Sequence, residues 1–150
     1  MLALIQRVSE ASVSVGGKRI AAIDAGVVAL VAVERGDSQA EVERMADRLL
    51  KFRLFADAQG RMNLDIGAVQ GGLLLVPQFT LAADTATGNR PSFSGSAPPE
   101  QARALFDELA RTIHDLGQKV VTGRFGAEMQ VALVNEGPVT FSIAVKPSRS

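Results

Sequence analysis

The run VALVNEGPVTFSIAV, residues 131–145, constrains the fold most, because it sets a Gly-Pro pair inside what otherwise reads as strand. Proline has no N–H to give a ladder and is normally kept out of strand interiors. Gly137 adds backbone entropy and no side chain to pack. A chain that keeps Gly137-Pro138 between two β-rich stretches needs a sharp, rigid backbone feature there. Gly-Pro is also a candidate cis bond, which usually serves a tight turn. On local geometry alone, Asn135-Glu136-Gly137-Pro138 reads as the turn of a hairpin.

The remaining chain suits one domain spanning residues 1–150, with 47% apolar residues and no linker, repeat or low-complexity stretch. With no cysteine there is no disulfide, thiolate nucleophile or cysteine metal site. A serine–histidine triad would have to use the one histidine, His114. The longest apolar run, residues 25–33, is too short to span a bilayer, and no secretory signal is visible, so a cytoplasmic location with no membrane contact is expected. Sixteen basic and sixteen acidic residues argue against coating a nucleic-acid backbone but permit gripping an RNA end. Arg44, Arg48, Lys51 and Arg53 offer phosphate contacts, or else the solvated face of a helix and its exit; helical spacing favours the latter.

Residues 2–15 read as a long strand, Gly16-Gly17 as a two-residue hairpin turn, 18–24 as the return and 26–33 as a buried strand. Ser38 with Glu41 forms a capping box for a helix whose apolar stripe is Val42, Met45, Ala46, Leu49 and Leu50. Residues 53–56 form a short strand and 73–81 the central one; 82–97 is a polar loop long enough to suggest function. Pro98-Pro99-Glu100 opens a second helix with Ala102, Leu105, Phe106, Leu109, Ile113 and Leu116 as its buried face, and Gly117 stops it. Residues 119–122, 129–135 and 139–146 complete the strands. The fold expected is α/β of the α+β type: a curved, mostly antiparallel or mixed sheet with two covering helices.

Several short motifs occur in order. Ile5-Gln6-Arg7-Val8 opens the chain and Met62-Asn63-Leu64 follows. Gln78-Phe79-Thr80-Leu81, Gly88-Asn89-Arg90-Pro91-Ser92-Phe93, Thr122-Gly123-Arg124-Phe125 with Met129, and Asn135-Glu136-Gly137-Pro138-Val139-Thr140 complete the set. Together they resemble the D-aminoacyl-tRNA deacylase family (D-Tyr-tRNA deacylases) over nearly the whole chain. The resemblance implies a β-barrel-like sheet, a homodimer, and hydrolysis of the ester of D-aminoacyl-tRNA, with glycine on tRNA(Ala) as a further substrate. With no HExxH, cysteine pair or carboxylate cluster at ligand spacing, no metal or cofactor is expected.

By the same resemblance, Gln78, Phe79 and Thr80 floor a pocket for the terminal adenosine of the tRNA 3′ end and its aminoacyl ester. A threonine hydroxyl is a weak nucleophile without a base, and the sequence supplies none. Backbone N–H groups of Phe79 and Thr80 suit the residues better as oxyanion donors, each worth about 3–4 kcal/mol; the resemblance implies that the RNA 2′-OH assists the water. Gly137-Pro138 is implied to be a Gly-cis-Pro element that enters the partner subunit's pocket and blocks an L side chain by collision. Arg7 is implied to brace that element and Met129 to line the adenosine pocket. Two positions depart from the family pattern: Pro77 replaces a serine and Thr87 a basic residue. Two other readings stand beside this one, a non-hydrolytic binder of RNA ends and a related editor with a trans Gly-Pro acting on L-Ala-tRNA.

Overall fold

The computed structural model describes residues 1–147. Strand β1 (Leu2–Val15) is its organising element. One edge of β1 carries β2 (Lys18–Ile23) along its second half and β3 (Gly26–Ala32) along its first, both antiparallel. Gly16 and Gly17 make the expected tight turn, with φ of 58° and 79°, a region glycine enters without steric cost. Helix α1 (Gln39–Lys51) follows. Its capping box is formed: the Glu41 carboxylate accepts from the Ser38 N–H at 2.7 Å and the Ser38 hydroxyl at 2.6 Å. A small hairpin of β4 (Phe55–Ala56) and β5 (Met62–Leu64) comes next.

Strand β6 (Gly72–Pro77) runs parallel to β3 and α2 (Pro99–Asp115) returns the chain to β7 (Val120–Thr122), parallel to β6. Strand β8 (Gln130–Ala144) then runs antiparallel along the other edge of β1. With β2 lying back against β6 and β7, the mixed sheet is nearly closed, as the expected barrel-like architecture requires. Both β3 and β6 read as continuous apolar runs because they are covered on both faces. Val27, Ala29, Val31, Leu73 and Leu75 enter a core shared with the two helices, whereas Val28, Leu74 and Val76 meet Val8, Val13 and Ile23 in a second core.

Four expectations need correction. The central strand does not reach residue 81: β6 ends at Pro77, and Phe79–Ala82 is a 3-10 turn. Residues 129–135 and 139–146 are not two strands around a turn. They are one long strand, both halves of which pair with β1 in the same sense, so Gly137-Pro138 is not a hairpin. Gln6 is opposite Thr140 and Val8 opposite Asn135, so Glu136 to Val139 are extra residues across from Arg7; Glu136, Gly137 and Pro138 are exposed, while Val139 returns into the core. Leu116 is 64% exposed, because helix α2 ends at Asp115 before this residue can turn inward. Leu105 of the same face is half-buried.

Candidate active site

The site begins where β6 stops. Pro77, the last residue paired with β3, has no N–H to extend the ladder. Gln78 closes it by donating to the Val31 carbonyl at 2.8 Å, and the chain then coils: Leu81 N–H reaches Gln78 O at 3.2 Å and Ala83 N–H reaches Thr80 O at 3.1 Å. The N–H groups of Phe79 and Thr80 lie in the first turn, where no helical acceptor exists. Among the described residues neither donates a hydrogen bond. The Thr80 hydroxyl accepts from the Gln78 side-chain amide. No carboxylate or imidazole of the described residues bonds to it; His114 is exposed on α2 beside Asp115. The side chain of Thr80 is therefore engaged as an acceptor, with no base on it.

Two cavities flank this turn. One, of about 380 Å³, lies between residues 76–79 and the loop Phe125–Met129, with Val131 of β8 at its side. Its far wall depends on Gly123. The Gly123 N–H donates to Leu75 O at 2.8 Å, and a Cβ there would lie 2.8 Å from Met129 Sδ and 3.4 Å from Pro77 Cδ. The Met129 sulfur also accepts from the Arg124 N–H at 3.4 Å, fixing it against the wall. The other cavity, of about 450 Å³, has a mostly apolar surface and shares Phe79 and Phe125 with the first; Phe93, Pro98 and Ala102 also line it, with Arg35 and Ser96 as its polar members. Phe79 is 57% exposed, with the Phe93 ring 5.3 Å away and tilted by 55°. The Arg103 guanidinium sits 5.2 Å over the Phe125 ring.

The Gly137-Pro138 bulge is held from several directions. Arg7 donates from Nε to the Glu136 carbonyl at 3.1 Å and from a terminal nitrogen to the buried Leu54 carbonyl at 3.0 Å. Asn135 spans the bulge: its oxygen accepts from Val139 N–H at 3.0 Å and its amide donates to the Thr140 hydroxyl at 2.9 Å. Gln6 donates to the same hydroxyl at 3.2 Å. Gly137 has φ 132°, and a Cβ would come within 2.7 Å of Val139 Cγ2 and 3.2 Å of an Arg7 terminal nitrogen. The Gly137–Pro138 peptide bond is cis.

Gln78, Phe79 and Met129 thus converge on one cleft; Thr80 is not in its lining but is tied to Gln78 beside it, and Arg7, Gly137 and Pro138 form a separate cluster. The separation is large. Val131 borders the cleft and Pro138 lies further along the same strand, roughly 20 Å away at about 3.3 Å per residue. Sequence reasoning assigned no role to Asn135, Thr140 or Gly123; a side chain able to both donate and accept beside Gly-Pro was the available signal for the first. Among the described residues no cluster of His, Cys, Asp or Glu is arranged to hold a metal, and no helix is long and apolar enough to cross a membrane.

The site is an aromatic-flanked cleft beside a 3-10 turn with backbone N–H groups left free among the described residues, set on a nearly closed mixed barrel. The family model described as D-Tyr-tRNA(Tyr) deacylase matches residues 4–144. A protein named D-aminoacyl-tRNA deacylase from Methylococcus capsulatus is 57% identical over 99% of this chain and 97% of its own. One of the same name from Thioalkalivibrio sulfidiphilus is 54% identical over 99% of this chain and 100% of its own. A solved structure named c-Myc DNA Unwinding Element Binding Protein superposes with a TM-score of 0.94 at 35% identity, covering 98% of this chain and 100% of its own. The chain belongs to the D-Tyr-tRNA(Tyr) deacylase family.

Proposed function

We propose that this chain, as a single domain of residues 1–150, hydrolyses the ester linking a D-amino acid to the 3′-terminal adenosine of tRNA, with glycine on tRNA(Ala) as an additional substrate. The observation that carries the reading is the cleft between residues 76–79 and Met129, with the adjoining turn offering two backbone N–H groups, of Phe79 and Thr80, that have no acceptor among the described residues. The apolar cavity behind Phe79 suits the adenine ring, which leaves the ester over the 3-10 turn. The N–H groups of Phe79 and Thr80 take the developing oxyanion, and the RNA 2′-OH positions the water. The engaged Thr80 hydroxyl supports this backbone mechanism over a threonine nucleophile.

Gly137-Pro138 supplies the chiral filter. It stands too far from its own cleft to act there, so it acts in the cleft of a second copy, and the working enzyme is a homodimer. Two features support this assembly. Strand β8 pairs only with β1 among the described residues, and it exposes Val131 and Val134. The bulge itself is braced without any contact to the cleft. Rigid carbonyls in the partner's cleft collide with an L side chain and leave space for hydrogen, which is why D-aminoacyl and glycyl esters pass. An enzyme that edits aminoacyl-tRNA would work in the cytoplasm, where translation takes place. Purified protein given D-Tyr-tRNA and L-Tyr-tRNA is expected to release tyrosine from the first at least a hundredfold faster. Equal release from both, or none from either, would overturn the reading.

A further inference from the structure

Three arginines along one edge of the molecule make no ion pair among the described residues, in a chain whose charges balance overall. Each is instead held by a neutral group. Arg44 donates to the Lys146 carbonyl at 2.8 Å, Arg48 lies 5.8 Å over the Phe52 ring, and Arg53 donates to the Asn63 side-chain oxygen at 3.1 Å. Arg44 and Arg48 are one helical turn apart on the exposed face of α1, and Arg53 continues the line past the helix end. Of the carboxylates beside them, Asp47 is paired with Lys51 at 2.6 Å, and Glu43, which accepts only from the neutral Gln39 amide at 3.5 Å, leaves the edge with a net positive charge against three arginines. Guanidinium groups oriented by neutral partners keep their charge available to an incoming anion.

Their position matters as much as their charge. Phe52, beneath Arg48, packs on Phe141 with ring centroids 5.1 Å apart, one residue from the Thr140 that Asn135 grips. Leu54, next to Arg53, gives its carbonyl to Arg7, which holds Glu136. The basic edge and the Gly137-Pro138 bulge are therefore parts of one rigid corner.

We infer that Arg44, Arg48 and Arg53 dock the phosphate backbone of the tRNA acceptor arm. This rests on the function proposed above: a corner that brings its Gly-Pro bulge to the partner's cleft also brings this edge beside the RNA that leads out of that cleft. One subunit then binds the terminal adenosine and the other the helical stem. The edge reads backbone charge and no sequence, which suits an enzyme facing many tRNAs.

The test is a double substitution, Arg48→Gln with Arg53→Gln. Its Kd for uncharged tRNA, measured by filter retention at several salt concentrations, is expected to weaken about tenfold at 0.1 M salt. The slope of log K against log salt should fall by about 0.9 per lost contact, or somewhat less where the RNA is not a regular duplex. Cleavage of D-tyrosyl-adenosine, which has no stem, should stay within twofold of wild type. The Arg48→Lys, Arg53→Lys pair should restore most of the salt slope, and Arg111→Gln, on α2 beside Glu108, should leave it unchanged. Unaltered tRNA affinity and slope overturn the inference, and so does a loss that falls equally on D-tyrosyl-adenosine. Should the wild type cleave neither ester, the proposed function falls, while the tRNA-binding comparison still decides the surface.

Discussion

The Gly137-Pro138 bulge and the Gln78–Thr80 turn are both interruptions of a strand by proline, yet they are built in opposite ways. The bulge is tied at every side. Arg7 reaches it from β1, Leu54 anchors Arg7 from the exit of α1, and Asn135 closes it upon itself. Among the described residues the turn has a single hydrogen bond to the sheet, from Gln78 N–H to Val31 O, and it carries a side chain, Phe79, that is more than half exposed. Stiffness is therefore concentrated in the element proposed to collide with the wrong enantiomer, and openness in the element proposed to receive the ligand. A filter that yields does not discriminate. A receiving cleft that is fully packed has no volume to offer.

The strongest way to break the comparison is Gly137→Ala. At φ 132° any side chain is strained, and this one would overlap Val139 and press on Arg7. The expected outcome is a loss of about 1–3 kcal/mol in unfolding free energy and a fall of at least tenfold in the ratio of D- to L-Tyr-tRNA cleavage. Denaturant unfolding and parallel deacylation assays check both. An alanine variant that keeps its stability and its enantiomer ratio would show the bulge to be ordinary edge structure.

The opposite pattern is expected in the turn. Phe79→Ala removes an exposed ring, so unfolding free energy should move by no more than about 0.5 kcal/mol. KM for the aminoacylated substrate should rise about tenfold, since a base loses its stacking face. Thr80→Ala should be milder still, with kcat within about tenfold of wild type, because the backbone N–H groups remain. A Thr80→Ala enzyme slowed a thousandfold would return the nucleophile to the hydroxyl.

How much of this was legible in the sequence follows from how local each feature is. The Gly16-Gly17 turn and the Ser38–Glu41 box were readable because every group they need lies within a few residues. The need for rigidity at Gly137-Pro138 was readable too, but its form was not. Whether its flanks pair with each other or both pair with β1 depends on the register that sets Gln6 against Thr140 and Val8 against Asn135, a contact across most of the chain. The end of β6 was misplaced although Pro77 signalled it, since a proline is admissible at a strand end and the apolar pattern continued to Leu81. Gly123 had no local signature: it is required only because Met129 and Pro77 meet over it. The family resemblance named the candidate cleft residues, and the structure adds that the bulge lies further along β8 than Val131, which borders the cleft.

The smallest expected effect separates the scaffold from both regions. Glu41 is held below the ordinary carboxylate value of 4.5 by the hydrogen bond from the Ser38 hydroxyl, against burial, which raises it. At Glu34 burial also raises the value, but hydrogen bonds from Lys146 and the Met1 ammonium outweigh it and the net direction is again down. A carboxylate whose pKa is lower folded than unfolded favours folding in its charged form. The stability it contributes is present above pH 4.5 and disappears as the pH falls through the lowered folded value. The melting temperature should therefore be nearly flat from pH 7 to 5 and decline below about pH 4. Glu41→Gln should cost about 1 kcal/mol at pH 7 and flatten part of the acid decline. The ties of the bulge run from a guanidinium and an amide to carbonyls, a backbone N–H and a hydroxyl, with no carboxylate among them. Its enantiomer ratio should consequently be the same at pH 5 and pH 7. A ratio that fell at pH 5 while the melting temperature held would mean that the filter leans on a titrating group outside those ties.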